Sequence, residues 1–375
     1  MAKLSKYLVK DFITIFLVSM LLITFAFSVG AIYKAIDIMA KGFPVSIVGR
    51  FFIYNLPYSL AFTIPVSALF ATLLLFGRLS SDSEIIAMKS GGLSLWQIAS
   101  PIVLVSFVLV GVCLYNNCVV YPKTTYANRQ LIKSMGVEDP IKLLEEGRFM
   151  REFPGYMIYI GKKNKNRVRD LIVYEVDEDS GKVTGTIRAD SGILTADKEN
   201  GLLKIDLFDV RIEIPSLDAP DDATKTRYVN ARKYPIRLDF NELMGRGTVA
   251  KKRKNLTVSE LAWRIRNPEK EYAGMGEDVR RIAHNRNLTE LNQRICLSIA
   301  PFMFVLVAIP LGIKSHRKES SIGMLMSLGI VFVYYLFIIL SDTFDDKPQL
   351  HSWFYPWIPI IIGQIGGLIL MRRAN

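Results

Sequence analysis

The sequence predicts an α-helical membrane protein: six transmembrane helices, three before and three after an inserted all-β domain. Three observations carry that prediction. Six long stretches contain no Asp, Glu, Lys or Arg: 12–33, 51–77, 90–121, 295–313, 320–341 and 352–371. Half of the 375 residues are hydrophobic, at 50%, and the mean hydropathy is +0.26. Between the third and fourth stretches the apolar pattern changes from long runs to short, partly alternating ones. A bilayer core of about 30 Å takes about 20 apolar residues in helix, which each stretch reaches or nearly reaches. Buried helices of a large soluble protein are also apolar all round, but they are usually shorter, and six in one chain is unusual.

The first stretch follows Lys3, Lys6 and Lys10 and offers a small-x-small site at Ala26-Phe27-Ser28, as a signal peptide would. Its length favours an uncleaved first span. The second carries Pro57 and Pro65, which should bend it. Residues 77–92 then read as a short amphipathic cytoplasmic helix, capped by Ser81 or Asp82 and ended by Gly91-Gly92. Ile85, Ile86 and Met88 would offer an apolar surface beside Asp82 and Glu84, either to a partner or to lipid headgroups.

In the polar insert, strand candidates are 156–160, 170–176, 183–188, 202–208, 210–214 and 234–240, rich in Ile, Val, Tyr and Phe. Turn signals at 179–182, 199–201 and 220–222 separate them. Such spacing suggests an antiparallel sandwich, jelly roll or open barrel. The run Lys251-Lys252-Arg253-Lys254 reads as a solvated linker. Thr257-Val258-Ser259-Glu260 fits a capping box, and a second helix over 279–293 should run on into the fourth span. There Glu290 and Arg294 stand i,i+4, the favourable order for an ion pair, which if exposed contributes only a few tenths of a kcal/mol. The sixth span contains Gly363-x-x-x-Gly367, suited to close helix packing.

Charge sets the orientation. With the N-terminus inside, inner segments carry Lys3, Lys6, Lys10, Arg78, Lys89, Lys314, Arg317, Lys318, Arg372 and Arg373. Outer short loops carry only Lys34, Lys41, Arg50 and Lys347. Both termini are then cytoplasmic and the insert periplasmic. Trp353, Tyr355 and Trp357 start the sixth span as an interfacial belt. The net charge of +12 comes with no basic, aromatic-interleaved motif, which argues against nucleic acid. Cys113, Cys118 and Cys296 lie in or beside spans, and the insert has no cysteine. Within the spans no ionisable residue offers a proton or sodium relay. No phosphate-cradling loop and no nucleophile–base set appears, so the expectation is a protein that is not an enzyme, has no cofactor, and takes its energy from another subunit.

Four local matches point to a family: Tyr33-Lys34-Ala35-Ile36-Asp37 ending the first span, the Pro57/Pro65 pair, the 77–92 loop with its Ser-Glu-x-x-x-Met core, and Pro359-Ile360-Ile361-Ile362-Gly363 before Arg372-Arg373. Through them the chain resembles the lipopolysaccharide-export permeases of the YjgP/YjgQ type (LptF/LptG), essentially end to end. The tract 269–277 departs from that pattern. The resemblance implies spans one to three over 1–121, with a cytoplasmic coupling loop at 78–92. A periplasmic jelly-roll-like domain over 122–255, a helical connector over 256–294 and spans four to six over 295–375 would follow. It implies a cytoplasmic ABC ATPase dimer, a second permease of the same family, a periplasmic jelly-roll bridge protein and lipopolysaccharide as partners. Glu84, with Asp82, Ile85 and Met88, would meet the ATPase. Lys34, with Lys41 as companion, would meet the lipid's phosphates. A permease for another lipid or a lipoprotein, or a non-transporting scaffold whose β domain docks a partner by edge pairing, remain the alternative readings.

Overall fold

The computed structural model describes residues 2–138, 141, 144–153, 155–176, 183–197, 202–215, 227–239, 251–272, 274, 276–315 and 320–374. The turn signals at 179–182, 199–201 and 220–222, and Arg317 and Lys318 of the orientation count, lie outside these. By its internal contacts the chain divides into two units. One comprises 1–36, 49–128 and 251–375; the other comprises 37–48 and 129–250.

The first unit is helical. Six of its helices are long and apolar enough to cross a membrane. Helix α1 (Ala2–Ala40) ends where Gly42 takes φ +79° and Pro44 follows. Helix α2 (Val45–Ser81) passes through Pro57 and Pro65 without stopping. The short α3 (Glu84–Ser90) follows. The third span begins at α4 (Leu95–Tyr115) and not at residue 90 as expected. Gly92 turns the chain at φ +87°, and Ser94 and Gln97 form a reciprocal capping box that restarts the helix. A π-helical turn (Asn116–Val120) joins α4 to α5 (Tyr121–Glu138), so the polar insert opens on a helix. After the insert come α6 (Val258–Arg266), α7 (Pro268–Glu271), α8 (Glu277–Ser315), α9 (Ser320–Thr343) and α10 (Trp357–Ala374). Thr257 and Glu260 form the expected capping box, and α8 runs unbroken into the fourth span, as anticipated.

Two spans form the centre: 78% of the most apolar window of α2 and of α8 is buried, against 17–28% in the other four. Glycine permits their close approaches. A Cβ at Gly312 would lie 3.0 Å from the Leu73 carbonyl, and one at Gly367 would lie 3.0 Å from the Leu306 backbone. The Gly363–Gly367 pattern therefore seats α10 against α8, as its spacing suggested.

The second unit contains an antiparallel sheet of six strands in sequential order: β1 (Phe149–Phe153), β2 (Tyr156–Asn164), β3 (Arg167–Val176), β4 (Val183–Asp197), β5 (Leu202–Ile214) and β6 (Arg227–Asp239). The inserted sheet is all antiparallel, and its strands are longer than expected. The segments 202–208 and 210–214 are one strand, β4 runs nine residues past the expected end at 188, and β1 was not anticipated. A transverse crease explains the difference. Inward residues are spaced two apart along each strand, except where they are three apart: Ile160 to Lys163, Val168 to Leu171, Ala189 to Gly192, Leu207 to Val210 and Ala231 to Tyr234. These slips align across the sheet, where pairing skips Gly161 with Asp170, Asp170 with Asp190, Asp190 with Asp209, and Asp209 with Arg232. Asp170 and Asp209 sit there at φ +55° and +53°. A strict two-residue alternation breaks at this row, so a pattern reading cuts the strands. The slip keeps one face inward on both sides, and a single core draws on both halves, including Ile158, Leu171, Ile187, Ile205 and Val210.

Candidate functional site

Three places hold the candidate side chains. The first is the loop around α3. Its N-cap is Ser83, left-handed at φ +57° and without a side-chain cap, not Ser81 or Asp82, because α2 continues to Ser81 and leaves only two residues to reverse the chain. Glu84 opens the helix, where a carboxylate suits the positive end of the dipole. It accepts from the Tyr7 hydroxyl at 3.4 Å, and Arg78 bridges Tyr7 and Asp11. Ile85 is 4% exposed and packs into the helical core with Met88 against it; Ile86, 53% exposed, is the apolar side chain left outside. Asp82 is exposed.

The second place is the C-terminal end of α1. Lys34 is exposed, its ammonium 5.9 Å from the centre of the Phe51 ring. Lys41 belongs to the other unit and pairs with Asp37 at 2.9 Å and with Glu145. Burial works to lower its pKa, but the bonds to Glu145 and Asp37 outweigh this and raise it.

The third is a cavity of about 420 Å³ among α1, α2, the π turn, α8 and α9. Its apolar wall is aromatic: Phe62 packs edge-on against Tyr58 at 5.2 Å and beside Tyr335 at 5.6 Å, and the Tyr335 hydroxyl donates to the Phe62 carbonyl at 3.0 Å. Its other end is charged, with Lys254, Glu290, Arg294 and Asp342. The π turn places Asn116 and Asn117 both inward. Asn116 donates to the Pro57 carbonyl at 3.0 Å, and Asn117 donates to the Ser298 hydroxyl at 3.0 Å. An apolar chamber with a charged end is shaped for an amphiphile.

Sequence reasoning missed this charged end. Glu290 and Arg294 are buried, at 4% and 3% exposure, and not a surface pair. The basic run before Thr257 is not simply solvated. Arg253 pairs with Asp345 and reaches Glu290 at 3.5 Å, Lys254 faces Asp342 at 3.7 Å, and Lys251 pairs with Glu260. The usable signal was the coincidence of a charged i,i+4 pair at the head of a span with a basic run nearby in sequence. Trp357, expected only as part of an interfacial belt, also donates to Asn292 at 2.9 Å.

Residues 6–373 match the family described as Lipopolysaccharide export system permease LptF/LptG. The chain belongs to the LptF/LptG family. It is a multi-pass inner-membrane permease of lipopolysaccharide export, working in a complex with other Lpt components. A direct comparison with curated proteins gives no match. In this permease Asp82, Glu84, Ile85 and Met88 share one short segment, whereas Lys34 and Lys41 fall in different units.

Proposed function

We propose that this permease extracts lipopolysaccharide from the outer leaflet of the inner membrane, driven by a cytoplasmic ABC ATPase dimer. It pairs with a second permease of its family and passes the lipid through its β domain to a periplasmic jelly-roll bridge. Both termini are cytoplasmic and the β domain is periplasmic. The amphiphilic cavity carries this reading: an aromatic chamber inside the bundle suits acyl chains, and its charged end suits a phosphorylated headgroup. Lys34, exposed at the head of the first span, makes the phosphate contact, with Lys41 as a companion already held by two carboxylates. Glu84 and Asp82 face the ATPase, Ile86 adds the exposed apolar contact, and Ile85 and Met88 fix the loop from behind.

The test is co-purification in mild detergent and lipopolysaccharide-stimulated ATP hydrolysis by the assembled complex. Glu84→Ala is expected to weaken ATPase association by about 1.5–3 kcal/mol, as loss of a charge-assisted contact does, and to stop export. Asp82→Ala is expected to matter less. Normal assembly and export in Glu84→Ala would reduce the loop to a connector. A complex that binds a different lipid, or no ATPase, would favour the other permease reading or the scaffold.

A further inference from the structure

Arg294 serves two structures at once. Its Nη1 donates to the Leu256 carbonyl at 2.6 Å and its Nη2 to the Lys254 carbonyl at 3.2 Å, while Nε holds Glu290 at 2.9 Å. The same guanidinium lines the cavity beside Lys254. The carbonyls it holds belong to a strap, residues 251–256, whose one 3₁₀ turn (Arg253–Asn255) is closed by Asn255 N to Lys252 O at 2.8 Å and Leu256 N to Arg253 O at 3.1 Å. Asn255 and Leu256 are buried, at 3% and 2% exposure, and charge ties down the residues before them: Arg253 to Glu290 and Asp345, and Lys254 to Asp342.

We propose that Arg294 and Lys254 are the cavity's anion-binding pair, and that the strap is a latch which an anionic headgroup releases. This rests on the reading of the cavity as a lipid site. At rest both cations are satisfied internally, by backbone carbonyls and by Glu290 and Asp342. A phosphate is a stronger, bidentate acceptor for a guanidinium than a peptide carbonyl. When it takes the Nη donors, the Lys254 and Leu256 carbonyls lose their partners. The Leu256 carbonyl is held in a buried bond, and leaving it unpaired there is costly, so the strap lifts until water reaches it. Binding and release are thus one equilibrium, and the coupling is reciprocal: pulling on the strap, the chain directly after residue 250, changes the affinity for the anion.

The experiment follows amide hydrogen exchange at Asn255 and Leu256 in the complete export complex in phosphatidylethanolamine nanodiscs. Samples contain no addition, lipopolysaccharide, or dephosphorylated lipopolysaccharide. A photo-crosslinking residue at Ile339, on the cavity wall, reports lipid entry separately. Phosphorylated lipid is expected to speed strap exchange about tenfold, with no effect from the dephosphorylated form. Arg294→Lys, which keeps the charge but loses the fork, is expected to exchange fast without lipid. Lys254→Gln, at a half-exposed position, should fold normally and respond less. Crosslinking at 339 with flat exchange, or equal responses to the two lipids, overturns the latch alone. No crosslink at 339 overturns the cavity reading and the latch with it.

Discussion

At the scale of single residues, charge means different things in different surroundings. Lys34 and Arg294 are both cations near the insert end of a span. Lys34 is exposed and meets an aromatic ring. Arg294 is enclosed, with every nitrogen engaged. A lysine that only snorkels to the interface tolerates any long polar replacement, whereas phosphate recognition needs the positive charge. Lys34→Gln and Lys34→Glu are therefore predicted to lower lipopolysaccharide crosslinking and lipid-stimulated ATP hydrolysis, with Lys34→Arg partly active and basal hydrolysis retained. Crosslinking in Lys34→Glu equal to the parent would remove Lys34 from the site. For the buried pair the expectation concerns stability. Glu290 without Arg294 is a buried carboxylate lacking its closest partner, a loss of about 3–5 kcal/mol. Arg294→Ala should thus lower the thermal unfolding midpoint of the helical unit, and Glu290→Gln, which leaves an amide there, should lower it less.

At the scale of elements, the crease in the sheet is the feature that local pattern reading handles worst. The residues at 161, 170, 190 and 209 read as turn formers, Gly and Asp, inside strand-like runs. They are instead one row at which every long strand slips phase together. Gly161 is required there: a Cβ would lie 2.7 Å from the Asp170 Cβ, and that residue is already at positive φ. Gly161→Ala is predicted to destabilise the β domain by about 1–3 kcal/mol, measurable as a lower denaturant midpoint for the domain's transition. Unchanged stability would mean that the crease relaxes freely. The helices were easier. Their number, the Thr257–Glu260 box and the run-on from 279 into the fourth span survive, with only the start of the third span moved to Leu95, because a spanning helix satisfies its own backbone and needs little from its neighbours.

At the scale of the whole molecule, the permease reading requires a definite orientation. Short segments rich in Lys and Arg, against sparse ones on the opposite side, are the basis for proposing that the insert lies outside the cytoplasm. A cysteine introduced at exposed Lys233 is predicted to react with an impermeant thiol reagent in cells permeable only at the outer membrane. Cys113 and Cys296 are buried and Cys118 is partly buried, so the reaction is read against the parent protein as its background. Reaction only after lysis would reverse the topology. The family's match over 6–373 covers both the spans and the insert.

The sequence by itself determined the six spans, the inserted β domain, the short helix after the second span and the family, because each is written in local composition or in short contiguous motifs. Bilayer length and period-two alternation act on neighbours along the chain. The tertiary structure alone decided which apolar residue of the loop is left outside, Ile86 and not Ile85. It decided that five strands slip phase on one row, and that Arg294 binds carbonyls 38 and 40 residues away in the chain. Those outcomes depend on burial and on which distant groups share a dry space. There an ion pair worth little in water becomes a fixed joint, and no spacing along the chain carries that information.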